Sequence, residues 1–592
     1  MKEVLSRMEV AVGSLVSTRT RQSILALLLC SFLIAPGSSV FSWAGPQEMT
    51  LTEEEKILHV LSRLGFGPRP GDIERVAAMG IEAYIEQQLR PELIPETVLV
   101  ERLASFKTLT MTPRELAEFY PAPNELRSQR QQLQAERQNQ GEQMSGEVEP
   151  ESVPEVTEEM QEARRQMRAG LQQIRFELSQ AKLIRAVYSE RQLQEMMADF
   201  WMNHFNIFLA KGLDRVYTTD FEENVVRPLV LGRFEDLLMA TAKSPAMLYY
   251  LDNWISSAPG QVMEERVATL RSRLAPRSRR RRQQSSVQPA DRAILRLLQR
   301  AKGLNENYAR ELMELHTLGV DGGYSQEDVI QVARAFTGWT ITAPRQGGSF
   351  QFQPLLHEEG DKLVLGQTVR SGGVQEGEQV LKMLARHPST ARFISTKLVR
   401  RFVADDPPED LVDAASLTFE RTGGDIREVL RTIFTHPYFF SRDVYQAKVK
   451  KPLELVVSSL RATAAEMRPA RRLMQVLAEM GEALYLCQAP TGYPDVASAW
   501  INTNSLLQRL NFALVLAADR IPQIRVDLVS AGPLFQQLRL PVPNTQQLEQ
   551  TRSLLGQAGE EQDRRDGLPQ TRFSRQVIAA AFMLGSPQFQ KR

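Results

Sequence analysis

The sequence is poor in the residues that build disulfide frameworks and local metal sites. Its 592 residues include two cysteines, Cys30 and Cys487, and six histidines, none of them spaced as HxxxH or HxH. A disulfide-rich scaffold and a local zinc motif are therefore excluded. The sequence also lacks a GxSxG elbow, a Walker loop and a GxGxxG motif, so it carries no common hydrolase or nucleotide-binding signature.

The chain also has almost no net charge. Its formal net charge is +1, and 42% hydrophobic with 24% charged residues is the composition of a globular protein long enough for more than one core. A nucleic-acid-binding domain usually has a basic surface with stacking aromatic residues, and this sequence has no such segment. We therefore do not expect nucleic acid as a partner.

The N-terminal residues have the pattern of a secretory signal peptide. Arg19 and Arg21 precede an apolar run at 24–35, and Ser42 and Ala44 place small residues where a signal peptidase cleaves. This run is shorter than the ~20 residues of a membrane-spanning helix, so we expect export after cleavage near Ala44. A retained N-terminal membrane anchor is the alternative. Cleavage changes the formal charge from +1 to −1 and leaves Cys487 without a disulfide partner.

The remaining chain has helical periodicity in most of its length and predicts a mainly α, multi-helical globular protein. Two low-complexity insertions interrupt it, one rich in Gln, Glu and Arg and one rich in Arg. One short β-hairpin is predicted near 350–366, where residues alternate as in strands. The predicted segments are a signal peptide at 1–44, an N-terminal helical part at 45–120, a charged insertion at 121–159, a helical core part at 160–254, the Arg-rich insertion at 255–304 and a continued helical core at 305–592.

The stretch from Leu304 to Trp339 predicts two helices joined by a glycine turn. Asn305 is a good N-cap for a helix from Glu306 to Leu318, and Gly319 supplies the left-handed residue that ends it. The second helix begins at a capping box, Ser325 with Asp328. The apolar stripe of the first helix includes His316, which should therefore point inward.

A second histidine lies in an aromatic helix, DFWMNHFN at 199–206. His204 shares a face with Trp201 and Phe208, whereas Asp199, Asn203 and Asn206 share another face. Burial of an imidazole costs a few kcal/mol unless it is hydrogen-bonded or ligated, so His204 must have a partner. One hypothesis is a divalent metal site, with His204, His316 and His357 as ligands, Asp252 or Asp361 nearby and Glu311 as catalytic base.

The alternative hypothesis needs no metal. In it the polar side chains around the helical hairpin form a buried structural network, and a satisfied core histidine explains the same pattern of burial. The residues of this network are Asp252, Asn253, Asn305, Asn307, Arg310 and His316.

Several segments resemble one bacterial family. NENYARELMELHTLGV followed by GGYSQEDVIQVARAFTGW looks like its signature, and HVLSRLGFGP, DFWMNHFN, SPAMLYYLDN, HEEGDKLVLG and HPSTARFISTKLVRRFV agree with it. The family is the one catalogued as domain of unknown function 1800. The resemblance implies an exported bacterial protein whose gene often lies beside a family related to sulfatases and alkaline phosphatases. The Arg-rich insertion departs from the family pattern, in which LDN is followed quickly by NENYAREL.

These observations favour an exported binding or assembly protein of the bacterial envelope. Such a protein could partner a sulfatase-like or phosphatase-like neighbour, and its run of four arginines, Arg279, Arg280, Arg281 and Arg282, could contact an anionic envelope surface. A metal-dependent hydrolase or other metalloenzyme is the alternative. The sequence specifies neither substrate nor reaction.

Overall fold

A computed structural model describes residues 51–119, 158–274, 303–551 and 574–592. The signal-peptide prediction, nearly all of the 121–159 insertion and Arg279–Arg282 lie outside these ranges. Within them the chain is mainly helical, which confirms the predicted class. The helices are α1 (Glu53–Arg63), α2 (Asp72–Met79), α3 (Ile81–Leu89), α4 (Thr97–Leu103), α5 (Pro113–Phe119), α6 (Glu158–Tyr188), α7 (Gln192–His204), α8 (Asp214–Asp220), α9 (Phe234–Lys243), α10 (Pro245–Tyr250), α11 (Gly260–Leu274), α12 (Glu306–Glu311), α13 (Gln326–Ala335), α14 (Val374–Ala385), α15 (Pro388–Phe402), α16 (Glu409–Thr422), α17 (Ile426–Thr435), α18 (Pro452–Ala462), α19 (Arg471–Glu479), α20 (Thr503–Ala517), α21 (Leu528–Gln537) and α22 (Arg575–Gly585).

The strands of the described ranges form three antiparallel pairs. They are β1 (Trp339–Ile341) with β2 (Phe350–Phe352), β3 (Lys362–Val364) with β4 (Gln367–Val369), and β5 (Glu466–Met467) with β6 (Ile524–Arg525). The region near 350–366 therefore contributes to two hairpins, where we predicted one. Leu365 and Gly366 have φ values of 49° and 73°, as a tight two-residue turn requires, and a leucine gives no sequence signal for such a turn.

One apolar core joins the three predicted helical parts. Its buried residues run from Ile57 in α1 to Phe589 after α22, and they include Trp201, Phe234 and Phe336. The beginning of the Arg-rich insertion is also structured, because α11 places Met263 against Leu356 in a small separate cluster. No helix of the described ranges is both long enough and apolar enough to cross a membrane.

The predicted helical hairpin is confirmed, with one irregularity. Asn305 caps α12 through Asn307 N, and Ser325 and Asp328 form the capping box of α13. The first helix continues after α12 as a π-helical turn, Leu312–Thr317, and Gly319 follows it with φ +85°. Within this turn the Thr317 hydroxyl donates to Leu312 O at 2.7 Å. A π-turn inserts one residue into the helical repeat, and it leaves His316 buried at 3% exposure.

Candidate functional site

The polar residues predicted to form one network around the hairpin have separate partners. Asn305 Nδ2 donates to Leu251 O at 2.9 Å, and Asn253 Nδ2 lies 3.3 Å from both Phe336 O and Trp339 O. Arg310 and Asp252 lie nearer the surface and pair with Glu306 and Lys211. The side chains of Asn305 and Asn253 thus fasten the loop after α10 to the hairpin, while Asn307 contributes its backbone N–H to the cap.

His204 and His316 are brought together in the interior, as their inward direction predicted. Their rings lie 6.1 Å apart, and each side chain is nearly inaccessible. His204 Nε2 lies 3.1 Å from His316 O; because a carbonyl only accepts, Nε2 carries the proton. His204 Nδ1 then accepts from Lys397 Nζ at 2.9 Å. Both ring nitrogens of His204 are therefore occupied.

The charge states in this cluster follow from burial. Burial together with Lys397 lowers the pKa of His316 to about 3 and holds the pKa of His204 well below its usual value. Burial also lowers the pKa of Lys397 to about 8, although Asp495 opposes the shift. The two neutral imidazoles and one ammonium group form a buried cluster in which protein groups occupy both ring nitrogens of His204.

His357 has a different set of partners. Its Nδ1 lies 2.8 Å from Thr337 O and its Nε2 lies 3.0 Å from Glu376 Oε1, while Lys362 Nζ pairs with the other Glu376 oxygen. Within the described ranges no group of three or more His, Cys, Asp or Glu residues is placed to hold a metal ion. The metal hypothesis remains a prediction that this geometry does not support. Glu311 is half-buried, and burial next to Glu314 raises its pKa.

A cavity of about 40 Å³ lies beside the second face of α7, which carries Asp199 and Asn203, and beside Asn206, which follows the helix. We call it the Asp199 cavity. A site needs roughly 10–15 Å³ of such volume to hold one water molecule, so several waters or a small ion fit. Its ionisable lining residues are Lys182 from α6, Asp199 from α7, Lys451 immediately before α18, Glu482 after α19, Tyr485 and Cys487 in the following loop, and Tyr493.

Asp199 is the centre of a buried ion cluster. Its carboxylate lies 2.8 Å from Lys182 Nζ, 3.2 Å from Lys451 Nζ and 3.4 Å from Arg401. Burial opposes ionisation of Asp199, but these three cations outweigh it and hold the pKa of Asp199 below its ordinary value. Behind the cavity Arg401 also pairs with Glu454 at 2.7 Å. An unpaired buried charge is costly, so loss of one member of this cluster should lower the stability of the fold.

Glu482 is an acid of the cavity whose pKa lies near neutral pH. Its Oε2 accepts from Leu453 N at 2.7 Å, and its Oε1 lies 3.8 Å from Lys451 Nζ. Burial raises the pKa of Glu482 to about 7, since the nearby charge of Asp199 adds to burial while Lys451 opposes it. A carboxyl group with such a pKa can exchange a proton at physiological pH.

The loop that follows Glu482 closes one side of the cavity through amide contacts. Asn206 Nδ2 donates to Ala489 O at 2.8 Å, and Asn203 accepts from Tyr493 N at 2.7 Å and donates to Tyr493 O at 2.8 Å. Gly492 has φ +70°, and a Cβ there would lie 2.3 Å from Asn203 O. Gly492 is therefore required for the loop to approach α7 so closely.

The comparison with known families places the chain. The family model described as "Protein of unknown function (DUF1800)" matches residues 59–591, which is most of the sequence. The chain belongs to the DUF1800 family. No curated protein and no solved structure matches it. The matched range includes every residue of the Asp199 cavity, so the cavity lies within the DUF1800 domain.

Helical periodicity predicts one shared face for Asp199, Asn203 and Asn206, but it does not mark them as a site. All three line the cavity of this DUF1800 protein, and Asn206 lies just after the end of α7. Lys182, Lys451 and Glu482 were missed. Lys451 lies 252 residues from Asp199 along the chain, so no local pattern identifies its partner. The one local signal is the pair of lysines before Pro452, which is unusual ahead of an apolar helix such as α18.

Proposed function

We propose that this DUF1800 protein is an exported binding protein of the bacterial envelope and that the Asp199 cavity binds a small oxyanion. The observation that carries the proposal is the pairing of two lysine side chains with one carboxylate in a cavity. Lys182 and Lys451 both contact Asp199, and Glu482 lies beyond hydrogen-bond distance from Lys451 Nζ. The proposal keeps the predicted function class and gives it a site.

The donor groups of the two lysines exceed their protein acceptors. Each ammonium has three N–H donors, and among the described residues each has one carboxylate oxygen at hydrogen-bond distance. The remaining donors lie beside the cavity, where an oxyanion could accept several of them. With Glu482 protonated, the lining has two positive charges and one negative charge, so an anion is favoured over a cation.

Calorimetric titration of the purified chain with acetate, inorganic phosphate and acetamide tests the proposal. We expect one site for acetate or phosphate and none for neutral acetamide, and the two anions separate a carboxylate site from a phosphate site. Lys182→Met should weaken binding at least about tenfold, because it removes a charge-assisted donor. Lys243→Met is the matched control: Lys243 pairs with Glu378 at 2.5 Å and is not among the residues that line the cavity, so this variant should bind the anion normally.

The affinity should also depend on pH. Because the pKa of Glu482 is raised to about 7, this side chain becomes negative as the pH rises through neutrality and then repels an anion. The affinity for acetate, which keeps one negative charge across this range, should therefore fall between pH 6 and 8 in the wild type and stay constant in Glu482→Gln. Equal binding of acetamide and acetate, or no binding at either pH, would overturn the proposal.

Export, envelope contact and partner choice remain parts of this proposal. The expected cleavage near Ala44 is tested by N-terminal sequencing of the protein recovered from the envelope of the producing cell. A sulfatase-like or phosphatase-like partner is tested by co-purification with the neighbouring gene product. Contact of Arg279–Arg282 with an anionic surface is tested by binding to anionic and neutral lipid vesicles, with these four arginines changed to glutamine as control.

A further inference from the structure

A second cavity of about 40 Å³ lies on the other side of the lysine pair, and we call it the His59 cavity. The segment HVLSRLGFGP contributes His59, Ser62, Gly67 and Pro68 to its lining. Apolar side chains from α18, from the residues after α21 and from the end of the chain complete it, and exposed Gln588 and Lys591 lie at its rim. Among the residues that the structure describes, its ionisable lining groups are His59, Tyr445, Lys450, Lys591 and Arg592, and none of the lining side chains is a carboxylate.

Lys450 enters this cavity without a charged partner. It is 7% exposed, and its Nζ lies 3.9 Å from the centre of the Phe589 ring. Among the described residues its ammonium group has no hydrogen bond and no ion pair. Burial lowers the pKa of Lys450 to about 7; Glu454 opposes the shift, and Arg592 and Arg509 add to it. At neutral pH a large fraction of this side chain is therefore the neutral amine, which is the nucleophilic form.

His59 is the second unpartnered group. It is 1% exposed, its ring packs edge-on against Phe439 at 4.7 Å, and neither ring nitrogen has a partner at hydrogen-bonding geometry. Burial and the charge of Arg63 hold its pKa well below the usual value, although the Phe439 backbone opposes the shift. A neutral imidazole has one N–H donor and one lone pair. The Phe439 backbone lies near His59 but not at hydrogen-bonding geometry, and no donor of the described residues reaches the lone pair.

We infer that the His59 cavity is a carbonyl-binding site in which Lys450 forms an imine with a small aldehyde or ketone and His59 transfers the protons. This inference is independent of the Asp199 cavity. The observations that carry it are a cavity open at its rim, a buried amine without an acid partner and a neutral imidazole without a hydrogen bond. Buried lysines and histidines normally have an acid or a hydrogen-bond partner. Here Lys450 has only a cation–π contact with the Phe589 ring, and His59 has no partner at hydrogen-bonding geometry, so a ligand that contacts both would complete the cavity.

The chemical step is balanced by these two groups. The Lys450 nitrogen lone pair attacks the carbonyl carbon, and the C=O π electrons move to oxygen. Proton transfers from nitrogen to oxygen, through His59, give a neutral carbinolamine. The nitrogen lone pair then expels the hydroxyl group as water: His59 donates its N–H proton to the leaving oxygen and takes up the proton that the iminium nitrogen releases. His59 is neutral again after this step, and a C=N bond replaces the C–O bond. One water molecule leaves for each imine formed, and no oxidant or reductant is consumed.

The apolar part of the lining indicates what kind of carbonyl compound fits. Leu58, Ala462, Leu538, Leu540 and Phe589 surround the space beside the amine, while Ser62 and Ser458 add hydroxyl groups. A small neutral aliphatic aldehyde or ketone fits this apolar lining, because the other charged side chains described there do not face an empty space: Arg592 pairs with Glu454 at 3.1 Å, and Lys591 is exposed at the rim. The volume of about 40 Å³ limits the substrate to a few non-hydrogen atoms.

Reductive trapping of the intact wild-type chain tests this inference. The folded protein is incubated at pH 7.5 with propionaldehyde and cyanoborohydride, which reduces an imine to a stable amine, and labelling of each lysine is followed by peptide mass spectrometry. We expect Lys450 to be labelled at least about tenfold faster than Lys451, its neighbour in the same peptide. Lys451 is the internal control because its Nζ is held by Asp199 at 3.2 Å.

Variants separate the roles of the two residues. Lys450→Arg keeps the positive charge but cannot form an imine, so labelling at this position should vanish while the other lysines are unchanged. His59→Gln should slow Lys450 labelling about tenfold and change the pH profile of the rate, because proton transfer is lost but the amine remains. Equal labelling of Lys450 and Lys451 in the folded wild type, or labelling of Lys450 only after unfolding, would overturn the inference.

Discussion

Lys450 and Lys451 are adjacent in the sequence, yet they enter two different cavities. Residue 451 has extended backbone angles just before α18, so the two side chains leave the chain in opposite directions. Lys451 contacts Asp199 and lies near Glu482, whereas Lys450 lies over the Phe589 ring without an acid. A lysine side chain is thus a fixed cation in the Asp199 cavity and a reactive amine in the His59 cavity. Pairing, rather than burial alone, decides which role a buried lysine takes.

The largest expected effect comes from removing Asp199, the acid at the centre of the ion cluster beside the Asp199 cavity. Asp199→Asn keeps the shape of the side chain but leaves Lys182, Lys451 and Arg401 without their shared carboxylate. We expect the free energy of unfolding to fall by about 3–5 kcal/mol in urea denaturation, because uncompensated buried charge is strongly destabilising. Asp413→Asn, which breaks an exposed pair with Arg392, should cost less than about 1 kcal/mol. Similar losses of unfolding free energy in both variants would contradict the difference between buried and exposed ion pairs.

The next prediction changes the two neighbours in the same way and expects opposite results. At pH 6, Lys451→Met should lower the free energy of unfolding by about 2–4 kcal/mol, since Asp199 loses a buried partner. Lys450→Met should raise it by about 1–3 kcal/mol, because an apolar chain replaces an unpaired buried ammonium group.

The stabilisation by Lys450→Met should also depend on pH in a defined direction. The pKa of Lys450 falls from 10.5 to about 7 on folding. Between these values the unfolded wild type holds a proton that the folded wild type has lost, so wild-type stability rises with pH in this window. The advantage of the methionine variant is therefore largest below pH 7 and shrinks toward pH 10. A constant difference across this range, measured by denaturation at several pH values, would show that Lys450 keeps its charge.

Glu482 supplies a smaller effect of opposite pH sign. Its pKa is raised from 4.5 to about 7, so the folded protein binds a proton in this window that the unfolded chain has released. Wild-type stability contributed by this group is present below pH 4.5 and is lost as the pH rises to 7. Glu482→Gln keeps an acceptor for Leu453 N and avoids the loss. We expect it to be more stable than the wild type by about 1–2 kcal/mol at pH 8 and equal to it near pH 4.5, as measured by denaturation in parallel buffers.

The parts of the fold that could be predicted from the sequence depend on residues close to each other along the chain. The caps at Asn305 and Ser325 and the turn at Gly319 depend on residues within four positions of each other, and all three are confirmed. The inward direction of His204 and His316 follows from helical periodicity and is also confirmed. The strand pairing was only partly predicted, because Leu365 adopts a turn conformation that its side chain disfavours.

The partners of the buried polar groups could not be predicted in the same way. Lys397 reaches His204 across 193 residues, and Lys451 reaches Asp199 across 252. A lysine in a sequence reads as a solvent-exposed charge unless its partner is known, and the partner is determined by the tertiary fold. Nothing local distinguishes Lys450 from Lys451, so the division between a paired and an unpaired cavity is visible only in three dimensions.

The smallest predicted effect tests whether the difference between Lys450 and Lys451 depends on burial. Lys243 has a single acid partner, Glu378 at 2.5 Å, as close a contact as any in the Asp199 cluster, but both side chains are about one-third exposed. Water screens this pair and solvates either partner when the other is removed, so Lys243→Met should change the free energy of unfolding by about 0.5 kcal/mol or less. Urea denaturation of Lys243→Met and Lys451→Met in parallel compares the loss of stability from the same substitution at an exposed pair and at a buried pair. If Lys243→Met lowered the free energy of unfolding as much as Lys451→Met, the distance between the paired charges would explain both losses. Burial would then not be what makes Lys451 structural and Lys450 reactive.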